Sequence, residues 1–335
     1  MGGGVRPAAH RCDLIEETFA EAIVGEEPIV AESLAERVYA GDIGGYHFAR
    51  GGFVQAALSG VEVALWDLRG KELDAPVHEL LGGGRTESLV PYASTMYVTE
   101  WGQDPAEPVA EAADEGFTAA KIKIGRGVDG DLERVATASE HLGEDVYLIA
   151  DYNDNYTPRQ AIRSIEALAE CDLTWAEEPV PPENLSGYRE IKRHTDVPLA
   201  AGEAHFGRFE FKRLVDEQLV DVIQPNLGRC SGFAEARFLA NLATTENVLV
   251  QPHIWNSAVG TAAAVQFAAS LPDYPYAADL LPEPVLFEFD RSENPLRDDL
   301  LVDPLDPTGG SLDVPQELGL GVTVGEDAVE QYRTN

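Results

Sequence analysis

From residue 88 onward, short apolar runs alternate with stretches whose apolar positions recur at helical spacing. The runs fall at Ser88–Tyr97, Ala119–Gly125, Tyr147–Asn153, Leu173–Pro179, Pro198–Glu203, Val220–Asn226, Asn247–His253 and Val285–Asp290. Most are continuous rather than alternating, as expected of parallel strands covered on both faces. Between them, Pro158–Glu170 and Ser231–Thr244 are amphipathic and long enough to be crossover helices. Eight βα units in about 200 residues favour a closed barrel over an open doubly wound sheet. The first 87 residues read differently, with helical patterns at Leu14–Ile23, Val30–Tyr39 and Gly52–Leu68 and a glycine-rich hinge at Leu80–Gly84. Turn and short-strand character returns in Gly310–Val324. The predicted fold is α/β: a TIM-type (β/α)8 barrel over residues 88–304, with a smaller α+β capping domain over 1–87 completed by the tail 305–335.

Chemistry-bearing residues sit where the apolar runs end. They are Lys121 and Lys123, then Asp151, Glu177, Glu203, Asn226 and His253, and from Lys123 onward they are 28, 26, 26, 23 and 27 residues apart. Each interval is one βα unit, so a barrel gathers all of them on its C-terminal face. Any one carboxylate could cap a helix or pair with an arginine. Three on adjacent strands repel one another unless a cation lies among them, and an all-oxygen set suits Mg²⁺, with Mn²⁺ as a substitute. Lys121 and Lys123 share one face of their strand, because side chains two apart point the same way. Beside each other and a metal they should hold their protons less tightly, which makes one a candidate base; alternatively both hold an anionic substrate. His253 lies across the barrel from them, and Glu288 in the last run is a weaker candidate that could simply cap the sheet.

Charge narrows the partners. The chain of 335 residues has 59 acidic and 24 basic residues, a net −35. Such a surface repels phosphate backbones and anionic lipid, so neither nucleic acid nor membrane is an expected partner. Five residues are lysine (Lys71, Lys121, Lys123, Lys192 and Lys212), and an acidic, lysine-poor surface suits the salt-rich cytoplasm of a halophile. A hydrophobic share of 44% is enough for a core and excludes acidic disorder. Cys12, Cys171 and Cys230 have neither zinc spacing nor the even count of a disulfide framework. No P-loop or nucleophile elbow is present, and the glycine-rich segments 41–52 and 80–84 follow no strand. No apolar run approaches the roughly 18 residues of a membrane span, and the first residues lack a signal-peptide core.

The segments KIKIG, IADYN, WAEEPVPPENL, AAGEAHF, VIQPNLGRCSG and QPHIWNSAVGTAAA, in that order, resemble the mandelate racemase subgroup of the enolase superfamily. ALWDLRGKELDAPVHELLGGG and LFEFDRSENPLRDDLL fit the same family, so the resemblance covers residues 30 to 330. It implies Asp151, Glu177 and Glu203 as Mg²⁺ ligands and Lys123 as the base that removes a proton α to a carboxylate, with Lys121 beside it. It implies His253 as acid or base on the opposite face, Glu288 as a partner of the carboxylate or enediolate, and Asn153 as a polar substrate contact.

Two departures from the family pattern shape the expected chemistry. Many members place an aspartate behind the catalytic histidine, where this chain has Asn226. An amide supports imidazolium less well than a carboxylate does, so His253 is expected to be less basic. A racemase needs a competent base on both faces; a dehydratase needs one base and one acid. The chain also begins near where the cap's lid-bearing strands would end, which suggests an N-terminally shortened cap. The loop bearing Tyr46 and Arg50 is still expected to face the site. The resulting expectation is a Mg²⁺-dependent dehydratase of a sugar acid such as gluconate, galactonate or xylonate, assembled as a homo-oligomer. The alternatives are a racemase or epimerase of a 2-hydroxy acid, and a non-catalytic barrel acting as a binding or assembly partner.

Overall fold

The computed structural model describes residues 12–26, 31–45, 51–83, 86–96, 103–142, 147–273 and 284–333. All eight expected runs contain a strand. They are β1 (Ser88–Ser94), β2 (Ala119–Lys123), β3 (Tyr147–Asp151), β4 (Leu173–Glu177), β5 (Leu199–Ala201), β6 (Val222–Ile223), β7 (Leu249–Val250) and β8 (Leu286–Asp290). All pair in parallel, in the spatial order β7-β6-β5-β4-β3-β2-β1-β8. Among the described residues β7 and β8 share no backbone ladder, although the Gln251 side chain donates to the carbonyl of Pro284 just before β8, at 3.1 Å. Closure is visible in the interior instead. Tyr92, Ala119, Ile149, Trp175, Ala200, Val222, Leu249 and Leu286, one from each strand, pack into a single cluster.

Outside the sheet runs a ring of crossover helices in the gaps between successive strands: α3 (Ala106–Asp114), α4 (Val128–Leu142), α5 (Pro158–Ala167), α6 (Leu185–Lys192), α7 (Gly207–Asp216), α8 (Phe233–Thr245) and α9 (Ala258–Ala269). The cap helices α1 (Ala31–Ala40) and α2 (Gly52–Glu72) precede β1. The amphipathic segment expected at Pro158–Glu170 starts from a capping box, in which Thr157 and Gln160 satisfy the first free amides of α5. The strands end earlier than the apolar runs because the chain leaves extended geometry at their C-terminal ends. Asn153, Asp154 and Glu178 all have positive φ (42°, 63° and 40°). Gly202, at φ 154°, brings β5 against β6 so closely that a Cβ would lie 2.6 Å from the Gln224 nitrogen.

The described residues before β1 are helical, including a π-helical turn at Ile15–Phe19, and no strand precedes β1 among them. They pack around Phe19, Leu34, Val38, Leu58 and Val61. The cap is keyed to the barrel through one buried carboxylate. Glu62 on α2 accepts from Trp66 Nε1 (2.6 Å) and from the backbone amides of Phe233 (2.6 Å) and Ala234 (2.9 Å), the free N-terminus of α8. Gly232 is required beside it, since a Cβ there would fall 2.0 Å from Glu62 Oε2. The tail also meets the cap: the Leu320 amide donates to Asp67 (2.9 Å) and the Val77 amide to the Gly319 carbonyl (2.8 Å). No helix among the described residues is long and apolar enough to cross a membrane.

Candidate active site

Strand register builds the site. Lys123 pairs with Asp151 across β2 and β3, and Asp151 with Glu177 across β3 and β4. Glu203 follows β5 beyond Gly202, so three carboxylates from three neighbouring strands converge. One ligand oxygen from each of Asp151, Glu177 and Glu203 lies within 4.8 Å of the other two. The lysines interleave with them: Lys123 Nζ reaches Asp151 Oδ2 at 2.5 Å, and Lys121 Nζ reaches Glu177 Oε1 and Glu288 Oε1, each at 2.7 Å. Opposite them, His253 Nε2 lies 3.1 Å from Glu203 Oε2 and 3.9 Å from Glu288 Oε2. Lys121, Lys123, Asp151, Glu177, Asn226, His253 and Glu288 are all buried.

Supporting groups fix these side chains. Glu177 Oε2 accepts from Trp175 Nε1 (2.9 Å) and Gln224 Nε2 (2.8 Å), and Glu288 Oε2 accepts from the Ile254 amide (2.8 Å). The Asn153 amide donates to Asp151 Oδ1 at 2.8 Å, while the buried Oδ1 of Asn153 has no partner. Asn226 Nδ2 is 2.8 Å from His253 Nδ1. Arg229 NH1 donates to the Glu203 carbonyl at 2.9 Å. Tyr46 and Arg50 lie outside the described residues.

Electrostatics in the protein alone differ from the sequence expectation. Burial works against the Lys123 ammonium, yet Asp151, Glu203 and Glu177 together outweigh it and the pKa rises; Glu177 and Glu288, with Asp151, do the same, more strongly, for Lys121. Burial also opposes charge on His253, but Glu203 and Glu288 reverse that and raise its pKa too, despite the neutral amide behind it. Reciprocally, His253 holds Glu203 low against its burial, and Lys121 does so for Glu288. The sequence shows which residues converge but not how near the carboxylates come, and nearness sets these directions. Beside this ring lies an acidic pair that sequence reasoning missed. Burial, then Glu203, pushes Asp154 up to about 7 and Glu178 well above the ordinary carboxylate range. Gln224 was also missed, although Gln-Pro precedes both Asn226 and His253, one βα unit apart, and that repetition is a signal.

The residues present fit a hard divalent cation. Asp151, Glu177, Glu203 and Glu288 carry four negative charges against two from the lysines, leaving −2 in a buried ring with an all-oxygen donor set.

Residues 104–328 match the family described as Enolase C-terminal domain-like, and residues 2–82 match the Mandelate racemase / muconate lactonizing enzyme, N-terminal domain. A D-galactarolactone cycloisomerase of Agrobacterium fabrum is 35% identical over 99% of this chain and 86% of its own length. A D-xylonate dehydratase of Haloferax volcanii is 30% identical over 95% of this chain and 79% of its own. Among solved structures, a 3,6-anhydro-D-galactonate cycloisomerase from Zobellia galactanivorans superimposes with a TM-score of 0.88 at 36% identity, covering 100% of this chain and 90% of that one.

Proposed function

Because the chain belongs to the mandelate racemase/muconate lactonizing enzyme family of the enolase superfamily, we propose that it dehydrates a sugar acid to a 2-keto-3-deoxy acid. The observation that carries this reading is the asymmetry of the two faces: two lysines stand on one side, and on the other a histidine whose inner nitrogen meets an amide rather than a carboxylate. Lys123, when neutral, takes the proton α to the substrate carboxylate, and Lys121 supports the carboxylate oxygens. The bond from the neighbouring carbon to its hydroxyl breaks with its electron pair. His253 faces that oxygen and donates a hydrogen bond to it as it leaves as hydroxide. The hydroxide and the proton taken by Lys123 together make up the water lost, and the remaining enol gives up its hydroxyl proton and gains one at C3 from solvent to become the 2-keto acid. A divalent cation on Asp151, Glu177 and Glu203, Mg²⁺ by its oxygen donors, would supply charge where the enediolate develops and would offset the carboxylates that otherwise keep Lys123 protonated. Asn153, with its free Oδ1, would meet a substrate hydroxyl in this reading.

The cycloisomerases among the relatives support a second reading, in which the departing oxygen belongs to a ring rather than to a hydroxyl. Proton abstraction is common to both. The test is a panel of aldonates, sugar lactones and anhydro-sugar acids incubated with Mg²⁺ at high KCl in D₂O. Dehydration gives a 2-keto-3-deoxy acid carrying deuterium at C3 and no epimer. Turnover of lactones or anhydro acids alone favours the ring-opening reading, and epimer interconversion without any 2-keto acid replaces both with racemisation.

A further inference from the structure

The orientation of Asn226 decides which nitrogen of His253 carries the proton. Both side chains are buried, at 2% and 7% exposure, so water does not mediate between them. Asn226 Oδ1 accepts from the backbone amide of Gly228 at 2.8 Å. A backbone amide can only donate, so the amide oxygen has to face Gly228 and the NH₂ has to face the ring. Asn226 Nδ2 stands 2.8 Å from His253 Nδ1, and that nitrogen must therefore be the acceptor. Turning the amide over would set two donors, Nδ2 and the Gly228 nitrogen, against each other and leave a buried N–H unsatisfied. A second proton on the ring would likewise point Nδ1–H at Nδ2–H.

We infer that Asn226 is a positioning residue that locks neutral His253 as the Nε2–H tautomer, presenting a hydrogen rather than a lone pair to the substrate. Nε2 faces the site, 3.1 Å from Glu203 Oε2. A ring held this way donates a hydrogen bond to a departing oxygen and cannot collect an α-proton. An aspartate at position 226 would accept from Nδ1–H and leave the Nε2 lone pair free for proton abstraction. One asparagine thus confines base chemistry to the lysine face. Only this consequence for turnover rests on the dehydratase reading; the tautomer does not.

The test is long-range ¹H–¹⁵N correlation on protein labelled at its histidine ring nitrogens, without substrate, raising the pH until the His253 ring is neutral. The chain has seven histidines, and His253→Gln assigns the resonance. The expected signature is a bare Nδ1 and a protonated Nε2 in the wild type, reversed in Asn226→Asp. A neutral wild-type ring protonated on Nδ1, or the same tautomer in both proteins, overturns the inference. If the signature is found and no sugar acid is turned over, the functional reading falls and this one stands.

Discussion

Replacing Asp131 by asparagine should loosen the turn that follows Lys123, and the loss can be worked out bond by bond. Asp131 on α4 is fully buried. Its Oδ1 accepts from the amides of Gly125 (2.7 Å) and Arg126 (3.1 Å), and its Oδ2 from Tyr156 Oη (2.5 Å) and Ser164 Oγ (2.7 Å). Asparagine keeps one acceptor for the two amides but turns a donor toward the two hydroxyls. Those hydroxyl oxygens already accept elsewhere, Tyr156 from the Gly127 amide at 2.6 Å and Ser164 from Tyr152 Oη at 3.1 Å. Hydrogen bonds to a charged group exceed neutral ones by roughly 1 kcal/mol each, so four weakened bonds cost about 4 kcal/mol. With an unfolding entropy of about 2 cal/mol/K per residue, that lowers the melting temperature of a chain this long by roughly 6 °C. Because the same turn fixes the end of β2, kcat should fall by about 10- to 100-fold, as expected when a reacting group shifts by a fraction of an ångström. Thermal melts and steady-state kinetics check this, with Asp216→Asn as a control that breaks only an exposed pair with Lys212 and costs at most about 0.5 kcal/mol. An Asp131→Asn protein melting within 1 °C of wild type would refute the reasoning.

Three further outcomes follow from the charges. Chelation should abolish activity and Mg²⁺ or Mn²⁺ restore it, with a gain of about 2.7 kcal/mol in stability at 100 times the dissociation constant; full activity after rigorous metal removal would count against the carboxylate site. Burial, with Glu203 and Asp151, raises Asp154 from 3.8 to about 7. In metal-free protein its contribution to stability is therefore complete below pH 3.8 and lost as the pH rises through 7. Asp154→Asn should then stabilise by about 1–2 kcal/mol at pH 8, after discounting for its partial exposure, and hardly at all at pH 4; equal effects at both pH values would contradict the assignment. Lowering KCl from about 1 M to 0.1 M lengthens the Debye length from about 3 to 10 Å and should lower the melting temperature; an unchanged melt would remove the support for a fold adapted to salt.

The strands and the converging residues were legible because two periodicities carry them. Alternation within a strand puts Lys121 and Lys123 on one face, and the length of a βα unit returns a polar residue to the same end of the barrel each time. Strand ends were less legible, since the left-handed turns at Asn153 and Glu178 leave no mark in hydrophobicity. Glu62 could not be found this way. It sits in an ordinary helical pattern, and its partner, the N-terminus of α8, is 171 residues away in sequence. Asp131 was hidden for a similar reason: an acidic residue in the first turn of a helix looks like a solvated one until its hydroxyl partners are in place. The protonation of the lysines and of His253 depends on distances of 2.5–3.1 Å to carboxylates from other strands, which spacing along the chain does not encode.

The protein's negative charge is of two kinds, and they call for different remedies. Most of the net −35 lies on side chains in contact with solvent, where mobile ions can approach and screening acts. The excess of −2 among Asp151, Glu177, Glu203, Glu288 and the two lysines lies in the barrel, buried but for a partly exposed Glu203, where salt screens it far less. The enclosed charge is reduced instead by protons, which is why Lys121, Lys123 and His253 all bind theirs tightly in the protein alone. A cation bound directly to the carboxylates would relieve the same excess and loosen the proton on Lys123, the base of the proposed reaction. On the proposed reading, the arrangement that suits the site to a metal is thus the one that would tie the proton of Lys123 to that metal, independently of salt at the surface.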